Sequence, residues 1–127
     1  MKRLAAVGLV AVTAGCGGSH AALLPQRCRL GVYFRSNATR TQIDAVRRKL
    51  ETDRHVTRVV FVPKAEAFQI MKRRHPELLG QLKMNPFPDA LYAHPRTRAD
   101  YAPVARSLQP RPTGVATVHY PRVGPCA

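Results

Sequence analysis

Val56-Thr57-Arg58-Val59-Val60-Phe61-Val62-Pro63 is the stretch on which the reading of this chain turns. It is rich in β-branched residues, which lose rotamer freedom in a helix and pack well on a pleated surface. The stretch therefore predicts a strand over 56–62. Pro63 closes that strand and also suits the first turn of a following helix, where its missing N–H has no intrahelical partner to lose. Ala67, Ile70, Met71 and Arg74 then recur at helical spacing, which predicts a helix from about Lys64 to Arg74.

Upstream, Leu30, Val32 and Phe34 alternate as one face of a strand over 29–34. Ser36 to Thr41 reads as a turn, and Thr39 with Gln42 forms a capping box for the helix that follows. Ile43, Val46 and Leu50 share one face of that helix, while Arg47, Arg48, Lys49 and Glu51 take the others, and Asp53-Arg54 ends it. Downstream, Pro76 interrupts the second helix. Glu77 to Lys83 gives a further short turn or helix holding Leu78, Leu79 and Leu82. Asn85-Pro86-Phe87-Pro88 is a rigid corner, because each proline fixes its own φ and steers the preceding residue away from helix. A third strand is expected over Ala90 to His94, a turn over 95–98, and a helix over Ala99 to Leu108 with Tyr101, Val104, Ala105 and Leu108 on one side. Gly114 to Tyr120 is the last strand.

The order is strand, helix, strand, helical insertion, strand, helix, strand. This is an α+β chain with the ferredoxin-like split β-α-β sheet and a helical lobe, at about 64–88, inserted between strands 2 and 3. In that topology the first and last strands lie side by side and antiparallel, so the start of one neighbours the end of the other.

The N-terminus reads as a targeting signal. Lys2 and Arg3 precede an uncharged run from Leu4 to Ala14. Eleven residues are too few for a spanning helix, which needs about 20, but suit a signal-peptide core. Val12-Thr13-Ala14-Gly15-Cys16 resembles a bacterial lipobox, with Thr13 where an aliphatic residue is usual. In that motif the cysteine is lipidated and becomes the new N-terminus. The assignment is a lipoprotein signal peptide over 1–15, lipid on Cys16, a flexible tether over 16–27 and the folded module over 28–126, held outside the cytoplasm at the membrane. The alternative is ordinary cleavage after Ser19-His20-Ala21 and a secreted protein. With Cys16 lipidated, Cys28 and Cys126 remain as an even pair in an oxidising compartment, which suggests a disulfide; two unrelated thiols are the alternative. The split β-α-β topology brings these two positions together independently.

The formal charge is +14, from 21 Lys and Arg against 7 Asp and Glu. Such an excess attracts polyanions at long range. Outside the membrane those are lipid headgroups and acidic wall polymers. The basic residues are spread along the chain, which favours a generally solvated basic surface over a nucleic-acid site. The five histidines are scattered, and His55, His75 and His94 fall beside turns or prolines, where exposure is expected. There is no metal-ligand spacing, no GxSxG, no phosphate-cradling glycine loop and no CxxC, and nothing around Cys28 marks it as a nucleophile. Glu66 and Glu77 read as charges at helix N-termini. Asn37-Ala38-Thr39 matches a glycosylation sequon but serves the turn and cap. No catalytic residue, metal, cofactor, nucleic acid or small-molecule substrate is expected.

The segment from Arg29 to Tyr120 resembles the extracellular domain of FtsX, the permease-like cell-division protein, particularly its actinobacterial versions. The matching pieces are Val32-Tyr33-Phe34, Ala38-Thr39 with Gln42, and Val56 to Val62 running into Lys64 to Phe68. To these are added the corner Asn85-Pro86-Phe87-Pro88, Pro95 with Asp100-Tyr101, and Pro112, Gly114, Val115 and Val118 of the closing strand. FtsX has four transmembrane helices and works with a cytoplasmic ATPase; this chain shows neither permease helices nor a nucleotide motif, so the expectation is the outer domain alone, attached by lipid. The resemblance implies a domain that binds a peptidoglycan hydrolase, its activator or another division protein, with the inserted lobe supplying an apolar contact surface. That lobe holds Phe68, Ile70, Met71, Leu78, Leu79, Leu82, Met84 and Phe87. These are too many for a short helix to bury on a small sheet, so an exposed partner-binding patch is expected. Met and Leu at helical spacing suit an amphipathic helix as ligand. The alternative places Ala67, Met71 and Leu82 in the interior of the lobe. The alternative function is a basic envelope protein that holds anionic lipid or wall polymer by charge, with an affinity that collapses in salt.

Overall fold

Leu30, Val32 and Phe34 point to one side of a central strand, β1 (Leu30–Phe34), and all three are buried. The computed structural model describes residues 27–127. The leader, Cys16 and all of the tether but Arg27 therefore lie outside the described residues. After β1 come α1 (Arg40–Glu51), β2 (Val56–Val62), α2 (Lys64–Arg74) and α3 (Pro76–Leu79). Then follow β3 (Ala90–Pro95), a 3₁₀ turn (Arg98–Asp100), α4 (Tyr101–Ser107) and β4 (Val115–His119). The four strands form one sheet in the order β2-β3-β1-β4, each antiparallel to its neighbours. This is the split β-α-β arrangement, with β1 beside β4 and the lobe between β2 and β3.

The capping box at the start of α1 is formed: the Gln42 N–H donates to Thr39 Oγ1 at 3.2 Å, and the Thr39 N–H donates to Gln42 Oε1 at 3.0 Å. Arg48 and Lys49 sit in the last turn, where cations favour the helix dipole. Ile43, Val46 and Leu50 of α1 and Tyr101, Val104 and Leu108 at α4 pack on one face of the sheet, against Leu30, Val32, Phe34, Leu91, Ala93 and Val115.

Two elements differ from the pattern expected of them. Of the short turn or helix expected over 77–83, the helical part ends at Leu79, because Gly80, a poor helix former, closes the turn by donating its N–H to the Pro76 carbonyl. The helix over 99–108 begins as a 3₁₀ turn. Asp100 reaches back to accept from Thr97 N at 2.9 Å and Thr97 Oγ1 at 2.8 Å, which tightens the entry to i→i+3 bonding.

Candidate functional lobe

Pro63, at the start of α2, has no side chain to satisfy the orphan N–H groups there. Asp89 does so from a distance in sequence: its Oδ1 accepts from Lys64 N at 2.8 Å. Asn85 completes the clamp, donating from Nδ2 to the Lys64 carbonyl at 2.8 Å and accepting from Phe87 N at 2.9 Å. The proline corner thus ties the start of α2 to the entry of β3 and sets the base of the lobe.

Above that base the lobe is thinly packed. Neither α2 nor α3 contains a buried residue. Phe68, Ile70, Met71, Leu79 and Phe87 are half-buried, and Phe68 and Phe87 meet at 6.3 Å between ring centroids. Leu78, Leu82 and Met84 are 67%, 43% and 82% exposed. None of the eight joins the hydrophobic core of the sheet and its two helices. Leu82 is therefore not interior to the lobe, contrary to the alternative that placed it there, because the chain leaves helical geometry after Leu79 and no longer turns that side chain inward. The lobe is also basic: Lys72, Arg73 and Arg74 end α2 and are exposed.

Between the lobe and the end of the sheet lies a cleft of about 540 Å³. The corner from Asn85 to Asp89 forms one wall, and Tyr33, Arg35 and Thr117 belong to the other. Only Phe87 of the eight lobe residues lines it. Sequence reasoning missed the strand-end residues, whose sole signal was the expected pairing of the first and last strands.

The histidines need a correction. His94 is 7% exposed, not at the surface, because β3 is an interior strand and Arg58 of β2 lies beside the ring, 3.4 Å from Nε2. Burial first, then the nearby Arg58 and Arg29, push its pKa below the usual 6.5. His55 is half-buried, with Nδ1 2.7 Å from Asp100 Oδ1. Burial alone would raise the Asp100 carboxyl, but hydrogen bonds from Thr97 and His55 outweigh it and hold the group below the ordinary carboxylate range. Since the same carboxylate caps the 3₁₀ turn, the pair latches the α1–β2 loop to the start of α4. Among the described residues no three His, Cys, Asp or Glu side chains gather as a metal site. Cys28 and Cys126 are joined by a disulfide, 98 residues apart in sequence.

A split β-α-β sheet with one helix-covered face and a helical lobe between its second and third strands defines a small α+β domain with a protruding, apolar and basic appendage. The chain belongs to the FtsX extracellular domain family, whose model matches residues 27–123. It is similar to extracellular domain 1 of FtsX from Streptococcus pneumoniae, whose crystal structure is a complex with undecyl-maltoside. The TM-score is 0.61 at 19% identity, covering 76% of this chain and 96% of that one. The solution structure of the large extracellular loop of FtsX from the same species gives a TM-score of 0.56 at 20% identity, covering 74% and 99%. At such identities the likeness is one of fold. No curated protein matches the chain. Among the described residues no helix is long and apolar enough to cross a membrane.

Proposed function

We propose that this domain is a non-catalytic adaptor of the cell envelope, anchored by lipid on Cys16, whose lobe binds a peptidoglycan hydrolase or another division protein. The observation that supports this most is the exposure of Leu78, Leu82 and Met84 on a lobe that stands apart from the core. Apolar side chains left in water on an appendage gain free energy when a partner covers them. The lobe residues Phe68, Ile70, Met71, Leu79 and Phe87 flank these three and extend the contact. The pneumococcal domain's complex with undecyl-maltoside, an amphiphile with an alkyl tail, agrees with a domain that offers apolar surface.

The test is capture from detergent-solubilised envelope by the full chain with Cys28–Cys126 oxidised, washed in high salt. Recovery of a hydrolase or division protein, lost in the Leu78→Ala/Met84→Ala variant, is the expected result. If only anionic lipid or wall polymer is held, and salt elutes it, the adaptor reading fails. Anchoring is tested separately: Cys16→Ser should move the protein out of the membrane fraction.

A further inference from the structure

With α1 and α4 on one side, strand residues of the opposite parity form the other face of the sheet, and the register sets them in rows. Arg58 pairs with His94, and Arg29 extends that row from β1, one residue before the Leu30–Ala93 pair. The next row is Val60, Tyr92, Gly31 and His119; the third is Val62, Ala90, Tyr33 and Thr117. No Asp or Glu occurs in any of the four strands. Two of the chain's basic residues, Arg29 and Arg58, thus share a row of this face, and no strand offers them a carboxylate.

Local geometry shapes this surface. A Cβ on Gly31 would stand 2.9 Å from Cε2 and the hydroxyl of Tyr33, so the glycine lets that ring lie across the sheet. Tyr33 meets Tyr92 edge-on at 6.1 Å, and the Arg29 guanidinium stacks over the Tyr92 ring at 3.6 Å. Burial, then a hydrogen bond with Tyr92, pushes the Tyr33 pKa up to about 12, so its phenol stays protonated. The pKa of His94, lowered first by burial, is lowered further by Arg58 and Arg29 of the same row. Beside this row a cleft of about 350 Å³ is lined by Arg29, Tyr33, Tyr92 and His119, among others.

We propose that the open face of the sheet is a binding platform for an anionic glycan, whose carboxylates pair with Arg29 and Arg58 while a sugar ring rests on Tyr33, beside the Arg29–Tyr92 stack. Guanidinium forks bind carboxylates through paired, charge-assisted hydrogen bonds. The two phenols, Thr117 and His119 supply the donors and acceptors that a hydroxyl-rich chain requires. A peptide that adds as a strand would use the outer edges of β2 or β4, not the face. The platform is independent of the adaptor reading of the lobe.

The test is calorimetric titration of the full chain with oligogalacturonate and, in parallel, with an oligoglutamate of equal carboxylate number. Oligogalacturonate is expected to bind about tenfold tighter than oligoglutamate. Arg29→Gln and Arg58→Gln should each weaken it about tenfold, the loss of one charge-assisted pair. Tyr33→Leu should weaken the glycan but not the peptide, and Arg48→Gln, on the far side of the molecule, should change neither. Equal affinity for the two polymers, or an equal loss in Arg48→Gln, would show unspecific charge attraction and overturn the proposal; so would no binding of oligogalacturonate. Arg58 sits on an outer strand, so Arg58→Gln remains informative if Arg29→Gln fails to fold.

Discussion

Gly114 holds φ at +89°, a region that side chains with a Cβ enter only at a cost. A Cβ there would also stand 2.7 Å from Gln42 Oε1, the oxygen that completes the α1 capping box, and 3.3 Å from Ala38 Cβ. Gly114→Ala is therefore expected to destabilise the domain by about 1–3 kcal/mol in urea unfolding; an unchanged midpoint would mean that the loop relaxes freely. Two other residues set the pH dependence, in separate windows. His94 has a folded pKa below 6.5, so the unfolded chain takes up its proton first. Its stability contribution is complete above about pH 6.5 and is lost as pH falls through the folded value. Asp100 behaves alike but lower: its contribution is present above about pH 4 and is lost as pH falls further. In melting curves against pH, His94→Gln should flatten the upper decline and Asp100→Asn only the lower one. A His94→Gln profile parallel to the parent would remove the buried histidine from this account.

Core helix and lobe helix differ sharply in what their side chains contribute. Leu50 on α1 is fully buried, so Leu50→Ala should cost about 2–5 kcal/mol. Leu78→Ala and Met84→Ala, at exposed positions, should each shift stability by no more than about 0.5 kcal/mol. A lobe variant that unfolds as easily as Leu50→Ala would place those side chains inside the packing and end their candidacy as a contact surface. Most elements were legible because their signals are local: β2 and α2 have the bounds expected of them, and the capping box at Thr39 forms as read. β3, expected over Ala90 to His94 and found there, rests on the weakest local signal. Ala90, Ala93 and Pro95 favour a strand little by themselves, yet this is an interior strand bonded on both sides. Pairing with β1 and β2 supplies what its own residues do not.

On the scale of the whole molecule, the disulfide ties the two ends of the domain beside paired strands β1 and β4, with Cys28 itself almost fully buried. Closing a loop of this length constrains the unfolded chain by roughly 4–5 kcal/mol in the chain-entropy model. Reduction, or the Cys28→Ser/Cys126→Ser variant, should lower the unfolding free energy by up to about that amount. Unfolding that is indifferent to reductant would show that the sheet alone holds the termini. The same closure brings Arg27 and Arg29 beside His119 and Cys126, at one end of the basic face.

The sequence by itself determined the order and type of the elements, the caps and corners that bound them, the cysteine pair and the presence of an apolar lobe. Each of these rests on residues within a few positions of one another, or on a topology that their order dictates. The tertiary structure alone decided that His94 is buried, that Leu82 is not, and that Arg29, Arg58, Tyr33, Tyr92 and His119 share one face of the sheet. Periodicity names the face of a strand, but the neighbours on that face come from register between segments far apart in the chain.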